Sequence, residues 1–484
     1  MARFDLVVKG GAVATATDTF RADIGVKDGR IAALADNLED AAEVVDASGR
    51  LVLPGGIDSH CHMDQPPGLD GARNADDFLS ATQSAVTGGT TTVIPFAQQL
   101  RGQSLRAAVE DYHRKAEGKP VIDYAFHLIV TDPTPSVLGQ ELPALIGDGY
   151  TSFKLYMTYD SLKVNDRQIL DILALARREG AMTMIHAENT DCIEWLTEKL
   201  ELAGRVQPRY HATSRPNVVE REATHRAISL AELLDTPILL VHVSAKEAIE
   251  QIHWAQGRGL KIYGETCPQY LFLSEEDMGG FDDDDWHGAR CMCSPPPRDK
   301  ANQEFVWRGL EQGIFSVLSS DHSPFTLNKQ GKFAQGPKPP FSKIGNGVPG
   351  IATRLPLLFS EGVQTGRLSL QQFVALTATN HAKLYGLHPK KGTIAIGADA
   401  DLAIWDKDRE VTITWKMLND RTGYTPYEGR RVKGWPVEVF SRGERVMREG
   451  EVTAKPGRGQ FMRCALPETA VPRGRPVVDP ALFA

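Results

Sequence analysis

Between residues 52 and 320, short apolar runs alternate with helical stretches, and this rhythm constrains the fold of the 484-residue chain more than any other feature. The strand-like runs cover 52–57, 90–96, 124–130, 152–157, 182–186, 238–243, 260–265 and 316–320. Helical patterns such as 166–179 and 220–234 lie between most of them. Nearly continuous apolar runs suit strands buried on both faces, as in parallel sheets covered by helices. About eight such units is the count of a (β/α)8 TIM barrel, so the predicted class is α/β.

The two ends of the chain have a different texture. Residues 4–52 alternate short apolar segments with turn signals such as Gly10-Gly11, Asp28-Gly29 and Ser48-Gly49, which read as hairpins. The same pattern returns at 392–405 and 437–443. It predicts a small β-sandwich built from both ends, with 1–53 and 391–459 as its parts and 54–390 as the inserted barrel. The stretch 460–484 is rich in Pro and Arg and reads as an extended tail, available to wrap a neighbouring subunit.

Composition removes several function classes. Charged residues make up 24% and the formal net charge is −8, with no basic stripe for nucleic acid. No apolar run approaches membrane-spanning length, and Met1-Ala2-Arg3-Phe4-Asp5 lacks the apolar core of a signal peptide. Six scattered cysteines do not make a disulfide framework in a chain this long. Cys291-Met292-Cys293 is too closely spaced for an ordinary bridge and has no partner pair for a zinc knuckle. The expected setting is cytoplasmic, with a small molecule as partner rather than nucleic acid or membrane.

The chemistry collects at the strand ends. His60 and His62 follow the first run, Lys154 lies in the fourth, His186 ends the fifth, His242 lies at the end of the sixth and Asp321 follows the eighth. Residues two apart on an extended chain share a face, so His60 and His62 project together. Strand ends of a barrel converge on one mouth, where catalytic groups sit. Taken singly, His186 or His242 reads more readily as a rim residue bonding a loop than as a ligand. Lys154 is harder to dismiss, because an ammonium inside an apolar strand is costly unless paired or chemically altered.

Several motifs follow in order: Pro54-Gly55-Gly56-Ile57-Asp58-Ser59-His60-Cys61-His62, Phe153-Lys154 with Tyr159 downstream, and Gly264-Glu265-Thr266-Cys267-Pro268-Gln269-Tyr270. Cys293-Ser294-Pro295-Pro296, Asp321-His322, residues 343–350 and residues 397–402 complete the series. In these the chain resembles the amidohydrolase superfamily and, within it, the dihydropyrimidinase/hydantoinase family, from about Phe4 to about Gly450. The resemblance implies two divalent metal ions, zinc above all. It assigns His60, His62 and Asp321 to the more buried ion, and His186 and His242 to the other. Lys154 would bridge them as its carbamate, N6-carboxylysine. Two close metals can activate a bridging hydroxide at neutral pH. The resemblance also makes Asp321 a proton shuttle and Tyr159 the donor to the developing oxyanion. Ser294 and Asn346 would bind substrate, although strong turn signals around both fit a structural role as well. It further implies a homotetramer.

Relatives such as the dihydroorotases carry an arginine soon after the second histidine. Here Met63-Asp64-Gln65-Pro66-Pro67 offers no cation before Arg73, which favours a neutral cyclic ureide or amide. The expected reaction opens dihydropyrimidines or 5-substituted hydantoins to N-carbamoyl amino acids. Another neutral cyclic amide, such as a cyclic imide or allantoin, is the alternative. A non-catalytic assembly protein is a further one, disfavoured because every expected ligand is present. Two departures stand out: Cys61 replaces the usual threonine and is expected to pack away from the metals, and the lip loop 64–70 is unusual. His127, His211, His225 and His322 are expected to be structural.

Overall fold

A computed structural model of the chain describes residues 2–68, 71–281 and 286–482. The apolar run expected as one strand at 52–57 is two strands in two sheets. Leu51–Pro54 pairs with Leu402–Thr412, whereas Gly56–Cys61 (β1) enters the barrel. The crossing point is Gly55, where a Cβ would stand 2.1 Å from Thr91 Oγ1. Only a residue without a side chain passes there.

The other barrel strands are β2 (Thr90–Gln98), β3 (His127–Ile129), β4 (Ser152–Tyr156), β5 (Met182–His186), β6 (Ile238–Leu240), β7 (Ile262–Thr266) and β8 (Val317–Leu318). Each pairs in parallel with the next. A two-residue strand, Asp123–Tyr124, pairs with β2 before β3 takes over. The ring closes just beyond β1 and β8, where His62 N donates to His322 O at 2.7 Å and Cys61 bridges to His322. Every position of β1, β4 and β5 is buried, as strands between an outer helix layer and a packed interior must be.

Helix Asp166–Glu179 shows how local sequence fixes the outer layer. Asn165 caps it, Gln168 completes the capping box, and Gly180 at φ +73° ends it in the left-handed conformation. Ile169, Ile172, Leu173 and Ala176 form its buried stripe.

Both chain ends build two further sheets. One has four strands, in the order Arg30–Ala35, Asp23–Lys27, Phe4–Lys9, Ala41–Asp46. The other has seven and combines Ala12–Ala14, Thr19–Arg21 and Leu51–Pro54 with four strands from 402–452. One apolar core takes Leu6, Ile24 and Val26 from the first sheet and Val52, Leu402, Ile404 and Phe440 from the second. A buried ion cluster ties these sheets to the barrel. Lys391 Nζ lies 2.7 Å from Asp123 Oδ2 and from Asp401 Oδ2, and Arg442 Nε lies 3.0 Å from Asp123 Oδ2.

The tail, read as available to wrap a neighbour, runs along its own barrel as far as Arg475, whose N donates to Asp235 Oδ2 at 2.8 Å. Met462 N donates to Tyr124 O at 2.7 Å, Cys464 N to Gly149 O at 3.0 Å and Ala465 N to Gly386 O at 3.0 Å. Arg473 Nε bonds Asp235 Oδ1 at 3.1 Å. Tyr124, Gly149 and Asp235 precede β3, β4 and β6, at the N-terminal ends of the strands, so the tail takes the face opposite His60 and Asp321. Among the described residues no helix is long and apolar enough to cross a membrane, and none of the six cysteines is paired.

Candidate metal centre

β1 carries His60 and delivers His62 one residue past its end. Their Nε2 atoms each lie 3.2 Å from Asp321 Oδ1. All three side chains are buried, and their ligand atoms fall within 4.8 Å of one another. From β4, Lys154 places Nζ 2.8 Å from His60 Nε2. The ring centroid of His242 is 5.3 Å from that of His60 and 4.4 Å from that of His186. His242 Nδ1 is buried without a hydrogen-bond partner, a cost that a ligated ion would remove. The structure therefore brings all six sequence-singled ligands to one place.

The backbone bends to achieve this. His242 (φ +40°), Asp321 (φ +47°) and Tyr159 (φ +69°) all adopt the left-handed region, unusual for residues with side chains and concentrated at functional sites. The strand expected over 238–243 accordingly stops at Leu240, and His242 N turns to donate to Glu265 Oε1 at 3.0 Å.

Buried partners set which imidazole nitrogen is free. Glu265 Oε1 lies 2.5 Å from His60 Nδ1, and Ser319 Oγ donates to its other oxygen at 2.7 Å. Gln65 Oε1 lies 2.9 Å from His62 Nδ1, and Glu188 Oε2 lies 2.7 Å from His186 Nε2. An acceptor on one ring nitrogen holds the proton there and leaves the other lone pair for a metal.

The electrostatics suit cation binding. Burial pushes His60 and His242 well below the usual imidazole range, which favours the neutral rings. Burial raises Asp321, but His60, His62 and Lys154 outweigh it and hold the carboxyl at about 2. Burial pushes Lys154 down to about 8, although Asp321 and Glu265 pull the other way. Neutral imidazoles with an ionised aspartate are the forms that bind divalent ions.

Above the cluster opens a cavity of about 550 Å³, lined by His62, Lys154, His186, His242 and Asp321. Tyr159, Ser294 and Asn346 stand on its walls, and Asn346 Oδ1 is buried without a partner. His60 lies behind this lining. Pro66, Pro67, Leu100 and Leu162 supply apolar wall. Leu69 and Asp70 of the lip loop lie outside the described residues. Two cations missing from the sequence neighbourhood of His62, Arg101 and Lys343, reach the pocket from other loops.

A barrel holding histidines, an aspartate and a buried lysine at its strand ends is matched by the amidohydrolase family over residues 51–446. This chain belongs to the amidohydrolase family. It is 45% identical over 462 residues to a D-hydantoinase of Geobacillus stearothermophilus, covering 95% of this chain and 96% of the relative. It is 41% identical over 460 residues to a D-hydantoinase of Rhizobium radiobacter, covering 95% and 98%. The crystal structure of a dihydropyrimidinase from Brevibacillus agri matches with a TM-score of 0.91 at 40% identity, covering 95% of this chain and 99% of that one. The family is metal-dependent, in keeping with the buried His60, His62 and Asp321 group.

In this amidohydrolase the side chains read as structural have protein partners. Cys61 is buried in the apolar core. His127 Nδ1 lies 2.6 Å from Ser152 Oγ, and His322 Nε2 lies 3.0 Å from Asp76 Oδ2. His211 Nε2 lies 2.9 Å from Cys293 O, and the His225 ring sits against Trp254. Sequence reasoning missed Glu265, Gln65, Glu188 and Arg215. For Glu265 the signal was available, because a carboxylate in an apolar strand demands a partner just as Lys154 does.

Proposed function

We propose that this amidohydrolase opens a neutral cyclic ureide, a dihydropyrimidine or a 5-substituted hydantoin, to the N-carbamoyl amino acid. The observation that carries the reading is Lys154, a fully buried lysine 2.8 Å from a histidine ligand candidate and facing the substrate cavity. A neutral lysine amine can add CO₂ and lose a proton. Such a carbamate would remove the buried ammonium and supply negative charge to help hold divalent ions. His60, His62 and Asp321 would hold the first ion, and His186 and His242 the second. Imidazole and carboxylate donors suit zinc. Two such ions, when bound, would supply an activated water at neutral pH and polarise the ring carbonyl.

The chain's own side chains do the rest. Tyr159 donates its phenol proton to the carbonyl oxygen as negative charge grows there. Asp321 accepts the proton of the attacking water and passes it to the departing ring nitrogen. Ser294 and Asn346 hold the –NH–CO–NH– edge, and the buried Asn346 Oδ1 awaits an N–H donor. The apolar wall at Pro66, Leu100 and Leu162 faces the ring substituent. The D-hydantoinase and dihydropyrimidinase relatives support this substrate class.

We also propose the division into a terminal sandwich (1–53 and 391–459), a barrel (54–390) and a tail (460–484), a homotetrameric assembly and a cytoplasmic setting. Unpaired cysteines agree with the last, and sedimentation velocity tests the assembly. The function is tested by hydrolysis of dihydrouracil and 5-phenylhydantoin with zinc-loaded and chelator-stripped protein. Zinc-dependent release of the N-carbamoyl acid from either is expected. Stoichiometric zinc with neither ring opened would move the substrate to another cyclic amide, such as an imide.

A further inference from the structure

Arg215 is a buried cation with no place in the reaction above. It lies in the joint between helices Tyr210–Ser214 and Asn217–Leu234 and is 6% exposed. Its Nη1 donates to Glu188 Oε2 at 2.7 Å, the same oxygen that lies 2.7 Å from His186 Nε2. Its guanidinium carbon is 5.3 Å from the centre of the Tyr159 ring. Arg298, itself buried and 2.7 Å from Glu220, donates to the Arg215 carbonyl. Backbone and head group are thus held separately, by Arg298 and by Glu188.

Burying a guanidinium is costly unless its charge and donors are used. Glu188 balances the charge and one donor, in a fork that offers five. What lies on its other side is Tyr159. A turn fixes the backbone of that tyrosine, with Lys163 N donating to Tyr159 O at 2.7 Å. A turn does not aim the phenol, and an oxyanion donor acts only when aimed in advance. The same neighbour affects acidity: burial pushes the phenol up to about 12, while Arg215 draws it down.

Resting on the reading of Tyr159 as oxyanion donor, we propose that Arg215 is a positioning residue. It aims the Tyr159 phenol, and Glu188 anchors it to the His186 side of the metal cluster. The oxyanion donor and one metal ligand are then registered to each other through a single carboxylate oxygen.

The test is a double-mutant cycle on the zinc-loaded enzyme, with dihydrouracil or 5-phenylhydantoin as substrate and zinc content measured for each variant. Arg215→Gln is expected to lower kcat by about tenfold or more while KM moves far less. Arg215→Lys, which keeps the charge but not the fork, should recover part of the loss. In a Tyr159→Phe background, Arg215→Gln should cost much less than in the parent, because the group it aims is gone. Equal fold losses in both backgrounds would overturn the proposal, and so would a loss confined to KM. Should Arg215→Gln fail to fold or to hold zinc, the cycle is closed with Arg215→Lys and judged in the same way. An unchanged kcat in Tyr159→Phe alone would sink the oxyanion role itself, and that is read before the cycle is closed.

Discussion

Lys154 and His60 meet from opposite sides of the barrel interior, with Nζ 2.8 Å from Nε2. An ammonium and an imidazolium cannot share that distance in a buried site, so at least one of the two is neutral. Burial drives both toward neutrality. The free amine of Lys154 is the form that would add CO₂ in the proposed carbamate.

A pH dependence follows for reconstitution. The Lys154 amine is held near 8, below its usual value, so its neutral fraction grows as the pH rises toward that value and levels off above it. Metal-stripped protein given zinc and a fixed CO₂ concentration should regain activity faster with rising pH, reaching a plateau above about 8. A rate flat between about pH 6 and 9 would remove amine chemistry from the assembly of the site. Lys154→Ala should lose turnover and bind less zinc.

Glu265 holds His60 by its Nδ1, and no other described carboxylate does so. Glu265→Gln is expected to keep the fold and weaken metal binding by about 10–100-fold, read by competition with a chromogenic chelator. Affinity equal to the parent would mean that packing alone orients the ring.

Lys391 neutralises buried aspartates contributed by both the barrel and the terminal sheets. Lys391→Met leaves Asp401 without its cation and Asp123 with Arg442 alone, and should cost roughly 3 kcal/mol in denaturant unfolding. Zinc content of the folded variant should be unchanged, because the ion-pair partners of Lys391 are Asp123, Asp399 and Asp401 and none of the ligand candidates. A stability loss below about 1 kcal/mol would show the aspartates to be protonated or hydrated instead.

Gly386 sits at φ +70°, and a Cβ there would stand 1.8 Å from Ala465 O. Gly386→Ala should push the tail off the barrel and speed proteolytic cleavage near residue 460, without loss of zinc. Unchanged protection would mean that Arg473 and the remaining backbone bonds hold the tail unaided.

Local signals were legible wherever the chain obeys them. Helix Asp166–Glu179 and strand Met182–His186 occupy the spans read from sequence, because a capping box, a left-handed glycine and an unbroken apolar run define them. The strand over 238–243 was overestimated, since nothing in Leu240-Val241-His242-Val243 announces the left-handed turn at His242. The run through Gly55 looked continuous because both halves are apolar, and only the contact with Thr91 reveals the crossing. The metal-ligand candidates were legible because the histidines and Asp321 stand at or just past apolar strand ends and Lys154 is an ammonium inside one. The pairing of Glu265 with His60 was not, because it spans 205 residues of chain, whereas Gln65 and Glu188 sit within three residues of the histidines they meet.

The crossing at Gly55 has a mechanical consequence. One residue separates a strand of the terminal sandwich from the strand that carries His60, leaving no slack for a hinge. Strain in the sandwich is therefore expected to reach the histidine pair, and the two parts should melt in a single calorimetric transition. Any opening that admits a substrate then falls to the loops around the rim.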